Sequence, residues 1–398
     1  MQHNPPSAGQ RAAALILLWL SGACLRLTVL AIPPVIPLLH ADLHLSETDI
    51  GWLSSLPPML FAIAAVPGSL LIARFGLLPA LLVGLLLNAI GGAARGAMAD
   101  ATYLYASTIM MAAGVSIMQP TLPPLVAAWF PKRIGFATAV YTNGLLLGEI
   151  FPAALTIPFI LPLLDNSWRL NFAVWSLPVL ATALLFAVAA PPGNDANRAG
   201  AGAGRRWWPD WRQPLIWRLG LLLGGVNTMY FASNAFLPDY VTAAGRSDLI
   251  SDALTALNVG QLPASLAMLG LAGRLVREPR AYVAMGALSL ASVIGIMVMP
   301  GLWIVLWAGV LGFAGAVTLI LALALPSVLS APHDVHRTSA GMFTISYSLA
   351  MALSVVCGWL WDVTHIPIAA FVPVAGCGLM IMLSASTVRL AQQTSPAD

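Results

Sequence analysis

Charge is what this sequence has least of. Only 8% of its 398 residues are Asp, Glu, Lys or Arg, against about 25% in an ordinary soluble domain. A soluble chain of this length could not cover its surface from that supply. A soluble enzyme, a disordered protein and a nucleic-acid binder are therefore excluded. Cysteine is scarce as well. Cys24, Cys357 and Cys377 lie in apolar stretches and form no CxxC pair, so neither a disulfide framework nor a zinc site is supported. They read as small apolar packing residues. No G-x-x-x-x-G-K-[ST] phosphate loop is present, which removes ATP as the energy source. HExxH and GxSxG are missing too. His3, His40, His44, His333, His336 and His365 are expected in tails or loops, solvated rather than metal-bound. No cofactor and no metal is expected.

What the sequence has is apolar length. The AVILMFWYC set makes up 59% of the chain, and mean hydropathy is +0.86. A helix crossing a hydrocarbon core needs roughly 20 residues. Twelve runs qualify, at 12–38, 48–73, 79–98, 102–129, 135–160, 169–190, 213–243, 250–275, 281–300, 302–325, 337–362 and 366–390. The first follows Arg11 and passes Ser21-Gly22-Ala23-Cys24, as a signal peptide does. It continues to Leu39, however, and reads as a retained first span.

Orientation follows from the positive-inside rule. With the N-terminus inside and twelve alternating spans, 14 of the 18 basic residues fall on the inner side, all but Arg26, Arg95, Arg169 and Arg246. The net charge of +3 and the pI near 8.9 are thus an insertion signal rather than a nucleic-acid surface. Both termini are expected in the cytoplasm, and the location is the inner membrane of a bacterium.

Residues 191–212 interrupt the pattern with Gly, Ala, Pro and Arg and are expected to form a flexible linker. Six spans precede it and six follow. The domains expected are therefore a bundle at 1–190, the linker, and a second bundle at 213–398. The halves carry a faint repeat. Pro33 is followed by Leu56-Pro57, and Pro238 by Leu262-Pro263, at nearly equal spacing. Matched halves are the sequence sign of an alternating-access carrier, whose site lies at mid-membrane. Pro33-Pro34, Pro57-Pro58 and Pro123-Pro124 are expected to bend their helices, around a cavity or simply for packing.

Ionisable groups within a span carry the most information, because each costs about 2.5–3.5 kcal/mol on insertion scales. Arg26 falls near the middle of span 1 and Glu149 near the middle of span 5. Arg26 reads as the anion-binding group of a solute site, its planar fork matching a carboxylate-like partner; the alternative is a clamp onto carbonyls or onto Glu149. Glu149 reads as a proton carrier, as the counter-ion of Arg26, or as a direct ligand. Arg95, toward the end of span 3, reads as an interface anchor. Neutral polar residues complete the candidate site. Asn227, Tyr230 and Asn234 share one helical face, as do Asn258, Gln261 and Ser265. Gln119 lies in span 4, and Thr344, Tyr347 and Ser348 in span 11. Gln119, Asn227, Tyr230 and Gln261 are the substrate-binding candidates; bridging between helices is the alternative for each.

Twelve spans in two halves resemble the major facilitator superfamily. The turn after span 2 keeps Arg74 and Gly76 of its G-x-x-x-D-R-x-G-R-R pattern, and span 5 holds Gly144-x-x-x-Gly148 with Pro152. Within that superfamily the chain resembles the cyanate and 2-nitroimidazole permease family. The resemblance rests on Cys24-Leu25-Arg26, Leu56-Pro57, Gly91-Gly92-Ala93-Ala94-Arg95, Gly114-Val115-Ser116-Ile117-Met118-Gln119, Asn227 with Tyr230 and Leu237-Pro238, and Gly260-Gln261. It departs at Cys24, where the family has Asn, and at Glu149, where a small residue is usual. It implies an all-α membrane protein of twelve transmembrane helices in two pseudo-symmetric six-helix bundles. The expected function is secondary active transport of a small polar or anionic organic solute, with protons as a possible second passenger and the chain working as a monomer. The alternative is an efflux pump for small aromatic or apolar compounds. An intramembrane enzyme lacks its motif, and a scaffold or sensor lacks an output domain.

Overall fold

The computed structural model describes residues 8–45, 47–190 and 207–394, and among them regular structure is helical throughout. The labelled helices are α1 (Ala8–Cys24), α2 (Ile36–Leu43), α3 (Glu47–Phe75), α4 (Leu77–Ala94), α5 (Ala101–Trp129), α6 (Ile134–Leu155), α7 (Trp168–Ala189), α8 (Pro214–Ala243), α9 (Ile250–Val259), α10 (Gln261–Leu275), α11 (Pro279–Val298), α12 (Leu302–Leu329), α13 (Val335–Thr364) and α14 (Phe371–Thr394). All twelve expected runs are built from helix, the first and the eighth in two pieces. Ten are long and apolar enough to cross a membrane. The other two spans are the first, made of α1 and α2, and the last, α14. Lys132 and Arg133 fall between helices, while Arg74 and Arg274 lie in the last turns of α3 and α10. Most of the expected linker, residues 191–206, lies outside the described residues.

Local chemistry sets the helix ends. Asp100 caps α5 by accepting from the Tyr103 N–H at 2.7 Å, and Ser167 caps α7 by accepting from Leu170 N. Pro214 and Pro279 open α8 and α11, where a missing N–H costs nothing. Gly76 turns α3 into α4 at φ 91°, a conformation other residues rarely adopt. Outer faces remain apolar. Ile63, Val83, Ile90, Leu184, Val298 and Leu383 are all exposed, as expected where lipid is the solvent.

The described residues divide into two compact units. One takes the chain up to Lys132 together with Val140–Trp208 and Pro332–Ala340. The other takes Arg133–Ala139, Pro209–Ala331 and the chain from Gly341 onward. Within the first unit, α4 packs along α5 and α7, and α3 along α5. Within the second, α11 packs on α12 and α14, and α9 and α10 on α12.

Two expectations about histidines change. His336 lies in the first turn of α13 and is buried, and His40 lies within α2. Both lie within two residues of an expected span, and the helices run on past the apolar runs to include them. The three cysteines are buried thiols.

Candidate functional site

The first span is interrupted rather than bent. α1 ends at Cys24, residues 25–31 run as successive turns, and a short 3-10 turn at Pro33–Val35 leads into α2. Prolines explain the far end. Pro33 and Pro34 supply no N–H, and their rings crowd the carbonyls four residues back, those of Val29 and Leu30. Ile32, just before Pro33, still has helical backbone angles, φ −75° and ψ −53°, so the missing N–H groups rather than the pre-proline restriction mark this end. Between them, the backbone keeps only local bonds, such as Arg26 N to Ala23 O at 3.0 Å and Leu30 N to Arg26 O at 2.9 Å.

A carbonyl freed inside a membrane needs a donor, and three side chains from other helices supply one. Asn88 of α4 donates to Cys24 O at 2.8 Å. Arg95, just past α4, donates to Thr28 O at 2.7 Å. Asn171 of α7 donates to Ala31 O at 3.3 Å. Asn88 also accepts from the Thr28 hydroxyl at 2.7 Å. On the apolar side, Leu27, Ala31 and Ile32 enter a core with Trp168, Phe172 and Trp175.

Arg95 is therefore not an interface anchor. It is 0% exposed, with its guanidinium 4.3 Å from the centre of the Phe172 ring. The broken span beside it offers carbonyls, so the group turns inward instead of reaching for the membrane surface. That partner could not be read from the apolar run of α4 alone.

Arg26 lies in the interrupted stretch. Its Nε is 3.0 Å from Glu149 Oε1, and the two side chains are only 11% and 12% exposed. The guanidinium also stands over the Phe61 ring of α3, 5.9 Å from its centre. Glu149 reaches it because α1 and α6 run unusually close. A Cβ on Gly144 would strike the Trp19 carbonyl, one on Gly148 the Ala23 carbonyl, and one on Gly22 the Tyr141 carbonyl. Small residues spaced four apart allow such an approach between membrane helices. Trp19 Nε1 adds a hydrogen bond to Asn143 Oδ1 at 2.9 Å. Gln119 belongs to the same unit. It is buried on α5, one residue before the first of three in-helix prolines, Pro120, Pro123 and Pro124.

The second unit gathers most of the neutral candidates. Its span 8 is also broken, at Gly260 between α9 and α10. There the Tyr230 hydroxyl donates to Asn258 Oδ1 at 3.1 Å, Asn258 Nδ2 donates to Asn234 Oδ1 at 3.2 Å, and Gln261 Nε2 approaches Asn258 Oδ1 at 3.5 Å. Asn227 lies apart from that cluster and donates to Ser346 of α13 at 2.8 Å. Ser346 was missed in the sequence. On α13 it is buried, whereas Ser348, singled out from the sequence, is exposed. An i, i+4 comparison of Met342 and Ser346 against the apolar face would have found it. Beside the cluster, Tyr230 packs on Phe231, Phe231 on Tyr347, and Tyr347 stacks on Phe343 at 6.3 Å.

Among the described residues, no group of three or more His, Cys, Asp or Glu side chains is arranged to hold a metal ion. What the arrangement can do is bind. A buried guanidinium offers paired donors to an anion, a carboxylate beside it can exchange partners, and the amides and the phenol offer donors and acceptors in fixed directions.

Comparison with known proteins supplies the rest. Residues 18–355 match the family profile described as the Major Facilitator Superfamily. The chain is 28% identical over 333 residues to the cyanate transport protein CynX of Escherichia coli (strain K12), covering 82% of this chain and 83% of that protein. It is 26% identical over 368 residues to the 2-nitroimidazole transporter of the same organism, covering 91% and 90%. Among solved structures, the E. coli fucose:proton symporter FucP superposes with a TM-score of 0.76 at 17% identity, over 96% of this chain and 98% of that one.

Proposed function

The chain belongs to the major facilitator superfamily; it is a multi-pass transporter and not an enzyme, and on that footing we propose that it is a secondary active carrier of a small polar or anionic organic solute. The observation that carries the reading is the ion pair of Arg26 and Glu149 beside an interrupted helix. Discontinuous spans supply binding groups in other carriers, and such an interruption is tolerated at membrane depth only where it is buried in protein or lines a cavity.

In this reading Arg26 takes the anionic or electron-rich end of the solute, and Glu149 is the group it leaves. Glu149 then accepts a proton, which couples the solute to the proton gradient. Gln119, Asn227, Tyr230 and Gln261 orient the solute, and the carrier, with halves 1–190 and 213–398 joined by the 191–212 linker, works by alternating access. The relatives named for cyanate and for 2-nitroimidazole both have compact solutes in their names, which supports a small one here. The chain works as a monomer in the inner membrane of a bacterium, with both termini in the cytoplasm.

The test begins with a thermal-shift screen of small anions and heterocycles, starting from cyanate and 2-nitroimidazole. Uptake of the stabilising compound into proteoliposomes follows, with and without an imposed pH gradient. Faster uptake with the inside alkaline supports the reading. Equal rates remove the proton step, and stabilisation by apolar compounds alone removes the solute class.

A further inference from the structure

Arg95 is a second buried guanidinium that the carrier reading leaves without a task. It has no carboxylate partner among the described residues. Its Nη2 holds Thr28 O at 2.7 Å, its Nε holds Gly92 O at 3.3 Å, and its Nη1 has no hydrogen-bond partner among the described residues. Satisfying one freed carbonyl does not call for a permanent charge. Asn171 does that task for Ala31 with a neutral amide. What the guanidinium adds is a rigid, planar anchor, stacked on the Phe172 ring and tied at two carbonyls.

The carbonyl it holds matters. Leu30 N bonds to Arg26 O, so residues 26–30 form one turn with Thr28 at its middle. Asn88 holds the same turn through the Thr28 hydroxyl, and the chain just before it through Cys24 O. Fixing Thr28 therefore fixes the direction in which Arg26 leaves the backbone. We infer that Arg95 is a positioning residue: by locking the Thr28 peptide, it aims Arg26 at Glu149 and at the solute. The inference rests on the role given to Arg26 above.

The pair itself can be read without knowing the solute. Glu149 is shielded by Arg26, so its reactivity toward a membrane-soluble carbodiimide, followed by peptide mass spectrometry on the purified full-length protein, reports whether the pair is made. Arg95→Gln is expected to raise Glu149 labelling about fivefold, the size of an ordinary coupling within one network. Arg26→Gln is expected to raise it too, and the double variant should match Arg26→Gln alone, because Arg95 acts only through Arg26. Arg95→Lys, which keeps one donor, should fall between Arg95→Gln and the unaltered protein. Should Arg95→Gln fail to elute as a single species, Arg95→Lys gives the second reading, with a smaller rise expected. Labelling of Arg95→Gln, or of Arg95→Lys where it stands in, at the unaltered level overturns the inference, as do effects of Arg26→Gln and Arg95→Gln that multiply. Arg26→Gln without any rise shows that Arg26 does not shield Glu149, which removes the pair and this inference with it.

Discussion

Arg26 of the first span and Glu149 of the fifth meet at 3.0 Å, each almost wholly shielded from solvent, although 123 positions separate them in the chain. Neither charge is stable alone in that setting, since removing one partner of a buried pair costs about 3–5 kcal/mol. Arg26→Gln and Glu149→Gln should therefore each lower the melting temperature of the purified protein. The double variant should recover most of that loss while remaining unable to transport. Thermal unfolding in detergent, beside uptake in vesicles, measures both.

The close contact of α1 and α6 makes a second prediction. A methyl group on Gly148 would press on the Ala23 backbone, and one on Gly144 on the Trp19 carbonyl. Gly148→Ala should force the helices apart at a cost of about 1–3 kcal/mol, and Gly144→Ala should do the same. Both variants should unfold earlier and raise carbodiimide labelling of Glu149.

Tyr230→Phe removes the hydroxyl that donates to Asn258. Interhelical bonds of this kind average about 0.6 kcal/mol in membranes, so unfolding should shift little. If Tyr230 touches the solute, the half-saturating concentration for uptake should rise by more than that small loss predicts. The same comparison applies to Gln261→Ala and Asn227→Ala, and initial-rate uptake against solute concentration reads it.

The fourth prediction concerns pH. Outside the spans, Arg246 donates to Asp248 at 2.8 and 3.0 Å. These bonds hold the Asp248 carboxyl below the usual carboxylate range. A lowered folded value means that the pair supports the fold above the ordinary carboxylate value near 3.9 and loses that support only as pH falls through the lowered one. Nothing in this pair titrates between pH 5 and 8. Asp248→Asn should leave the pH profile of transport unchanged across that range, and pH-jump uptake checks it.

Much of this was legible in the sequence because a membrane limits the choices. Charge-poor runs of sufficient length read as spans, so all twelve runs could be located from hydropathy, though not the breaks inside the first and the eighth. Arg26 and Glu149 were found by the same physics, as charges too costly to be incidental. Their pairing was left open among alternatives, because the helix contact that creates it depends on Gly22, Gly144 and Gly148 meeting across a long sequence separation. The interruption at residues 25–31 was read as a proline bend. Its true extent depends on Asn88, Arg95 and Asn171, whose donors come from two other helices. Arg95 was misread for that reason. Nothing local to span 3 shows that a broken helix stands beside it.

The most direct test is solute exchange by proteoliposomes carrying either the unaltered protein or Arg26→Gln, with equal amounts of folded protein confirmed by monodisperse elution. The solute is the compound that stabilises the unaltered protein in the thermal-shift screen. The account predicts that Arg26→Gln loses exchange and loses thermal stabilisation by the solute together. Exchange at the unaltered rate by folded Arg26→Gln would contradict it.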